Sequence, residues 1–206
     1  MLIEIYSSRI FLLFFAFLLI GLGRNLHAQS ADGTPLTEHV RANLEEARTA
    51  ANDMMMTLGG NLKDAIAERG LAGAVDFCAS EVHALSAQTL VKHRTGIQVH
   101  RVTERPRNPV NRIAAEEREI SERFPVRRAE TSQEYYEQRG TAFVYARPIY
   151  MDGVCLACHG PRDSLAEEVR RVLEERYPHD QAVGYSLGEL RGIVLVTIDP
   201  PHGVGR

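Results

Sequence analysis

The chain has 206 residues and carries 24 lysine and arginine side chains against 27 aspartate and glutamate side chains, so its formal net charge is −3 at pH 7. This mildly acidic balance argues against nucleic-acid binding, which calls for a basic surface. Hydrophobic residues make up 44% of the chain, and a chain of roughly 100–200 residues is long enough for one domain with its own core.

The first 28 residues are organised like a secretory signal peptide. Residues 10–22 are almost purely apolar, Arg9 precedes them, and Ala28 supplies a small residue where a signal peptidase would cut. The apolar run is shorter than the roughly 20 residues that a membrane-spanning helix needs. We therefore predict a signal peptide at 1–28, with an uncleaved anchor as the alternative, and a periplasmic location in a Gram-negative-type bacterium.

Behind the leader we expect a polar linker at 29–34 and a single domain at 35–206. Thr34-Pro35 is typical of a helix start, and apolar residues then recur every three or four positions. The Gly59-Gly60 pair either breaks or bends this helix, which is expected to end by Gly70.

A second helix is predicted from about 74 to about 92, with Gly96 as its C-terminal stop. His83 lies about 140° around this helix from Cys78 and therefore faces elsewhere. Cys78 itself falls on the buried side. The apolar face of the helix comprises Val75, Cys78, Val82 and Leu85.

The second half of the domain reads as strands separated by short helices. The last of these strands is a continuous apolar run, which is typical of the centre of a sheet. Because helices cluster at the front and strands toward the back, we predict an α+β fold with an antiparallel sheet covered by helices. In chain order we predict a strand at 97–102, a loop at 105–111, a short helix at 112–123, a polar stretch at 125–140, a strand at 141–150, a helix at 163–176 and a strand at 192–198.

The segment Cys155-Leu156-Ala157-Cys158-His159 is the attachment motif of a c-type haem. Its two thiols can each add across one vinyl group of the haem, and the histidine can then take the iron as proximal ligand. A four-cysteine zinc site would need a second pair of ligands, but the chain has three cysteines in all. A thioredoxin-like pair would start a helix after a strand, whereas Gly153 and Gly160-Pro161 indicate a loop. We predict one covalently bound haem c.

The third cysteine, Cys78, is a candidate for the second axial ligand of the iron. In an oxidising compartment a spare thiol tends to be oxidised or cross-linked, and burial as a ligand would remove that hazard. The alternative is a small buried hydrophobic residue. His100 and Met54 are the next choices, because histidine and methionine are the usual pair in c-type cytochromes. Other available side chains are those of Met55, Met56, Met151, His39, His83 and His93.

Arg107 and Arg147 are candidates for the two haem propionates, because a guanidinium pairs bidentately with a carboxylate. Arg107 precedes Asn108-Pro109 in a rigid loop, and Arg147 lies eight residues before Cys155. An ordinary ion pair with a glutamate is the alternative for both, and it is the favoured interpretation for Arg105.

The sequence contains no pattern typical of a catalytic triad, a paired-carboxylate site or a phosphate loop. We therefore predict that the protein is not an enzyme. The alternative is a peroxidase-like or nitrogen-oxide activity at the haem, with His83 or His100 as the distal acid–base group.

Several segments of the chain together resemble a family of exported c-type haem proteins known as a domain of unknown function. Members of that family occur alone or as the extracytoplasmic sensor module of membrane signalling proteins. The segments that carry the resemblance are, in order, Phe77-Cys78, Arg105-x-Arg107-Asn108-Pro109-x-Asn111, Tyr145-Ala146-Arg147-Pro148-Ile149, Cys155-Leu156-Ala157-Cys158-His159-Gly160 and Gly184-Tyr185-x-x-Gly188-x-x-Arg191-Gly192.

The resemblance implies a PAS-like fold, a central antiparallel sheet with flanking helices that holds one haem c. It also implies that Cys155 and Cys158 form the thioethers and that His159 and Cys78 are the two axial ligands of the iron.

A thiolate ligand stabilises ferric over ferrous iron and lowers the reduction potential. We therefore predict redox or gas sensing, in which ferric iron holds Cys78 and ferrous iron releases it and admits CO or NO. A low-potential periplasmic electron-transfer carrier with fixed ligands is the alternative. The expected partners are haem and either a redox partner or a membrane signalling protein, with membrane contact through the leader alone if it is uncleaved.

Overall fold

A computed structural model describes residues 37–93, 95–129 and 133–200 of the chain. All of them belong to one compact unit that begins at Thr37. The signal peptide expected at 1–28 and the linker expected at 29–34 lie outside the described residues, so both stay predictions. Among the helices described, none combines the length and apolar character needed to cross a lipid bilayer.

The predicted α+β class is confirmed, because a four-stranded antiparallel sheet with a long N-terminal helix forms a PAS-like arrangement. Short 3₁₀ turns at Pro109–Asn111, Gly153–Cys155 and Arg162–Ser164 link the regular elements. The helices are α1 (Glu38–Ser80), α2 (Val82–Leu90), α3 (Ala115–Ser121), α4 (Leu156–His159) and α5 (Glu167–Arg176), and the strands are β1 (Ile97–Val102), β2 (Tyr135–Arg139), β3 (Ala142–Tyr150) and β4 (Leu190–Ile198).

The strands lie in the order β1-β4-β3-β2, with every neighbouring pair antiparallel. The apolar strand at the C-terminal end therefore lies in the centre of the sheet, as predicted. Gly192 allows β4 to approach β1 closely, because a Cβ atom there would lie 2.4 Å from the carbonyl oxygen of Val102. This close approach puts the start of β4 beside the end of β1.

The two faces of the sheet are covered by different helices. Alternate residues of β3, Val144 and Ala146, pack with Ile120 of α3 and with Phe124 in one buried cluster. Tyr145, between them, points to the opposite face, because side chains alternate along a strand. On that face α1 contacts β3 and β4. The buried residues of α1 there recur at helical spacing and include Leu44, Ala47, Ala51, Met54 and Leu58.

The long helix α1 is bent at one glycine and passes unbroken through the Gly59-Gly60 pair. Gly70 has φ 69° and ψ −176°, which divides α1 into a first arm at 38–69 and a second arm at 71–80. A short interruption at Glu81 then separates the second arm from α2. The region expected to form one helix from 74 to 92 is therefore two shorter pieces.

Other elements also differ from the predictions, and the helix expected at 112–123 spans Ala115–Ser121. The polar stretch at 125–140 contains β2, an edge strand that pairs with β3 alone. Its half-exposed polar residues hide the alternation that marks a buried strand. The Cys155–His159 segment is helical and was wrongly expected to be a loop. The helix expected from 163 begins at Glu167, because residues 162–164 form a 3₁₀ turn and Leu165 is extended.

We expect Gly70→Ala to lower the free energy of unfolding by about 1–2 kcal/mol, because a residue with a Cβ atom is strained at positive φ. Gly60→Ala is the matched control. Gly60 lies within the helix with open space around its missing Cβ, so this substitution should stabilise the chain by about 0.5–1 kcal/mol. Urea unfolding of both variants measures the difference, and equal effects would contradict the bend at Gly70.

Candidate cofactor-binding site

A cavity of about 260 Å³ lies beside the Cys155–His159 segment. Both arms of α1 line it, the first with Leu58 and Leu62 among others and the second with Val75 and Cys78. The end of β3, the end of β1 and the start of β4 complete the wall. The wall is therefore mainly apolar, and its charged side chains come from β1, from β4 and from the loop that follows β1.

The structure brings the predicted cysteines and the predicted histidine to this one cavity. Cys155, Cys158 and His159 line it from the short helical segment, and Cys78 lines it from the second arm of α1. Burial raises the pKa of the Cys78 thiol, and the positive charges of Arg101 and Arg107 oppose that rise. Burial also raises the pKa of the Cys158 thiol.

The imidazole of His159 is held in one tautomer. Its Nδ1 lies 2.6 Å from the carbonyl oxygen of Ala182. A carbonyl can only accept a hydrogen bond, so Nδ1 carries the proton and Nε2 carries the free lone pair. Burial, reinforced by the charges of Arg107 and Arg191, lowers the pKa of His159 well below its usual value. The ring is therefore neutral and suited to donate the lone pair of Nε2 to a metal.

Arg107 and Asp180 form a buried ion pair behind this histidine. Their side chains are 10% and 1% exposed, with Arg107 Nε 3.1 Å from Asp180 Oδ2. Arg107 Nη2 also donates to the carbonyl oxygens of Cys158 at 2.6 Å and Ala182 at 3.3 Å. Asp180 Oδ1 accepts the backbone N–H of Ala182 at 2.8 Å. The guanidinium predicted to bind a propionate thus positions the motif, with Nε and Nη2 already engaged.

Arg105 secures the loop that runs from Gln181 to Glu189. Its guanidinium lies 3.9 Å from the ring centroid of Tyr185 and pairs with Glu189 at 3.1 Å. It also donates to the carbonyl oxygen of Val183. The rings of Tyr185 and His159 are nearly perpendicular, with centroids 6.4 Å apart. This matches the interpretation of Arg105 as an ion-pair residue.

Arg147 does not line the cavity. It lies in a second, more polar pocket and donates to Asn52 Oδ1. Two arginines outside the predicted set of ligands, Arg101 and Arg191, line the cavity instead. The sequence did offer a signal for Arg101. Ile97, Val99 and Arg101 lie on the same face of β1, so a charged residue stands among positions that point inward.

The positions of the other axial-ligand candidates decide which of them reach the cavity. His100, on the exposed side of β1, and Met54, in the core, do not line the cavity. Met55 and Met151 do line it. His83 does not line it, and its Nε2 lies 2.7 Å from Asn108 Nδ2.

The sequence model of the Tll0287-like family, described as Tll0287, matches residues 32–199. A solved structure described as "Crystal structure of the cyanobacterial heme-protein Tll0287" aligns with a TM-score of 0.56 and 21% sequence identity. The alignment covers 82% of this chain and 99% of that chain, and at this identity it shows a shared fold. No curated protein matches the chain.

We expect Asp180→Asn to lower the free energy of unfolding by about 3–5 kcal/mol, because it leaves the Arg107 cation buried without a counter-charge. Glu104→Gln is the control, since it removes the carboxylate of an exposed ion pair with Arg118 and should leave stability unchanged. Urea unfolding measures both variants. If the two are equally stable, the Arg107–Asp180 pair is not buried in solution.

Proposed function

The chain belongs to the Tll0287-like family, and we propose from this premise that it binds haem and carries one covalently attached haem c. One observation carries the proposal: the Cys155–His159 segment puts two thiols and a neutral, fixed imidazole on the wall of one largely apolar cavity. The fold match to a protein described as a cyanobacterial haem protein supports the same conclusion.

The residues present fit a haem. Its broad apolar surface requires a wall such as Leu58, Leu62 and Val75 provide, and its carboxylates require cations. Cys155 and Cys158 would form the thioethers, and His159 would donate Nε2. Bound haem would supply a one-electron couple at its iron.

We propose Cys78 as the second axial ligand. It is the one cysteine of the chain outside the attachment motif, and its side chain reaches the same cavity. Metal coordination deprotonates a thiol outright, so burial does not prevent ligation. Met55 and Met151 are the competing ligands, because both line the cavity.

We propose that the protein acts as an exported redox or gas sensor. Cys78 lies on the ten-residue second arm of α1, between the bend at Gly70 and the interruption at Glu81. The arm that carries Cys78 thus has a break in the helix at each end, whereas Nδ1 of His159 is bonded to the carbonyl oxygen of Ala182. The signal would pass to a redox partner or to a membrane signalling protein. Electron transfer with fixed ligands is the competing function. Neither His83 nor His100, the candidates for a distal acid–base group, lines the cavity.

We expect the full chain, matured in an export host competent for c-type cytochromes, to gain the mass of one haem and to keep it after denaturation. Cys155→Ala and Cys158→Ala should each lose one thioether, because each thiol forms one bond. Cys78→Ala should retain the covalent haem and serves as the control. Colourless protein with no added mass would contradict haem attachment.

We expect Cys78→Ala to change the ferric visible spectrum, because a thiolate donor to the iron is lost. His100→Ala, at an exposed site outside the cavity, is the control and should leave the spectrum unchanged. A Soret band that is identical in Cys78→Ala and the parent protein would remove Cys78 from the iron.

The same parent sample, once reduced, distinguishes the two functions. A spectral change on adding CO or NO supports a site that opens on reduction and therefore a sensor. An unchanged spectrum favours the electron carrier with fixed ligands.

A further inference from the structure

The charged side chains that line the cavity are all cationic. Arg101, Arg107 and Arg191 reach it, and no aspartate or glutamate of the described residues does. Arg107 is neutralised by Asp180 behind the wall. Among the residues that the structure describes, no carboxylate pairs with the other two guanidiniums, so the cavity holds two positive charges in excess.

Arg101 lies on β1, opposite Val194 of β4, in the register that faces the cavity. Within the described part of the chain its guanidinium makes neither a hydrogen bond nor an ion pair. Burial lowers the pKa of Arg101, which is the mark of a cation removed from water. A buried charge is retained at such a position when something pairs with it.

Arg191 lies at the start of β4 and contacts neutral groups. Its Nη1 donates to Thr103 Oγ1 at 3.0 Å and to the carbonyl oxygen of Arg105 at 3.1 Å, and its guanidinium lies 5.5 Å from the Tyr185 ring. Burial lowers the pKa of this residue too. These neighbours orient the side chain and leave its charge uncompensated.

We propose that Arg101 and Arg191 bind the two carboxylates of the haem. The inference rests on the proposed function and identifies the residues of that site which recognise the cofactor's charge. A guanidinium matches a carboxylate in shape and charge and can bind it through two parallel hydrogen bonds. The two guanidiniums without a counter-charge equal in number the two propionates of a haem.

The charges also balance when the iron is included. Ferric iron in the doubly negative porphyrin carries one positive charge, which the Cys78 thiolate would neutralise. The propionates then remain for Arg101 and Arg191. This assignment replaces the expectation that Arg107 and Arg147 bind them, because Arg107 is paired with Asp180 and Arg147 lies in another pocket.

The test compares haem with haem dimethyl ester, in which both carboxylates are masked. The full chain is produced without the maturation machinery, so that it carries no covalent haem. Its thiols are kept reduced, and it is titrated with each compound. We expect haem to bind about tenfold more tightly than the diester, or better, as charge-assisted hydrogen bonds require. Arg101→Gln and Arg191→Gln should each weaken haem binding and leave diester binding unchanged. Arg112→Gln is the control, since Arg112 is exposed and contacts Gln181.

The outcomes separate this inference from the proposed function. If the parent chain binds neither compound, the proposed function fails. If it binds both equally, haem binding stands and the carboxylate assignment is overturned. If Arg101→Gln weakens the binding of both compounds equally, Arg101 stabilises the fold or the Cys78 thiolate, and the assignment is again overturned.

A second measurement tests the same assignment in case the haem-free variants fold poorly. In chain loaded with covalent haem, Arg101→Gln and Arg191→Gln should each lower the reduction potential relative to Arg112→Gln, because a cation near the haem disfavours the oxidised state. Arg101→Lys keeps the charge and should retain most of the parent potential. Potentials that do not differ from the control would overturn the assignment.

Discussion

The buried Arg107–Asp180 ion pair holds the site together. Asp180 binds the backbone N–H of Ala182, and Arg107 binds the carbonyl oxygens of Cys158 and Ala182. The Ala182 carbonyl oxygen also accepts a hydrogen bond from Nδ1 of His159. Because a buried ion pair is stable only when both charges stay paired, one interaction fixes the motif, the following loop and the imidazole relative to each other.

The part of the cavity wall that carries Cys78 is built differently. Cys78 lies on the second arm of α1, with a bend on one side and an interruption on the other. That arm packs through Val75 against Leu165 and against Val169 of α5, in a cluster that Cys158 also contacts. The site therefore combines an imidazole that is hydrogen-bonded to the backbone with a thiol on a short segment that has a bend at one end and an interruption at the other.

The sheet determines where charge enters the cavity. Gly192 lets β4 pack closely on β1, so Arg101 at the end of β1 and Arg191 at the start of β4 reach the same space. Helix α1 supplies mainly apolar residues there. The apolar wall lowers the local dielectric constant, so the effect of each guanidinium on a bound group is stronger than it would be in water.

The sequence by itself determined the chemistry. The Cys155–His159 spacing identified a haem motif, helical periodicity put Cys78 on a buried face, and the apolar run of β4 indicated a central strand, because each signal is local. The tertiary structure alone decided which distant side chains meet. The amino-acid pattern could not show that Arg107 pairs with Asp180, or that Arg191 reaches the cavity and Arg147 does not. Those outcomes depend on strand register and on contacts between residues far apart in the chain, which no local pattern encodes.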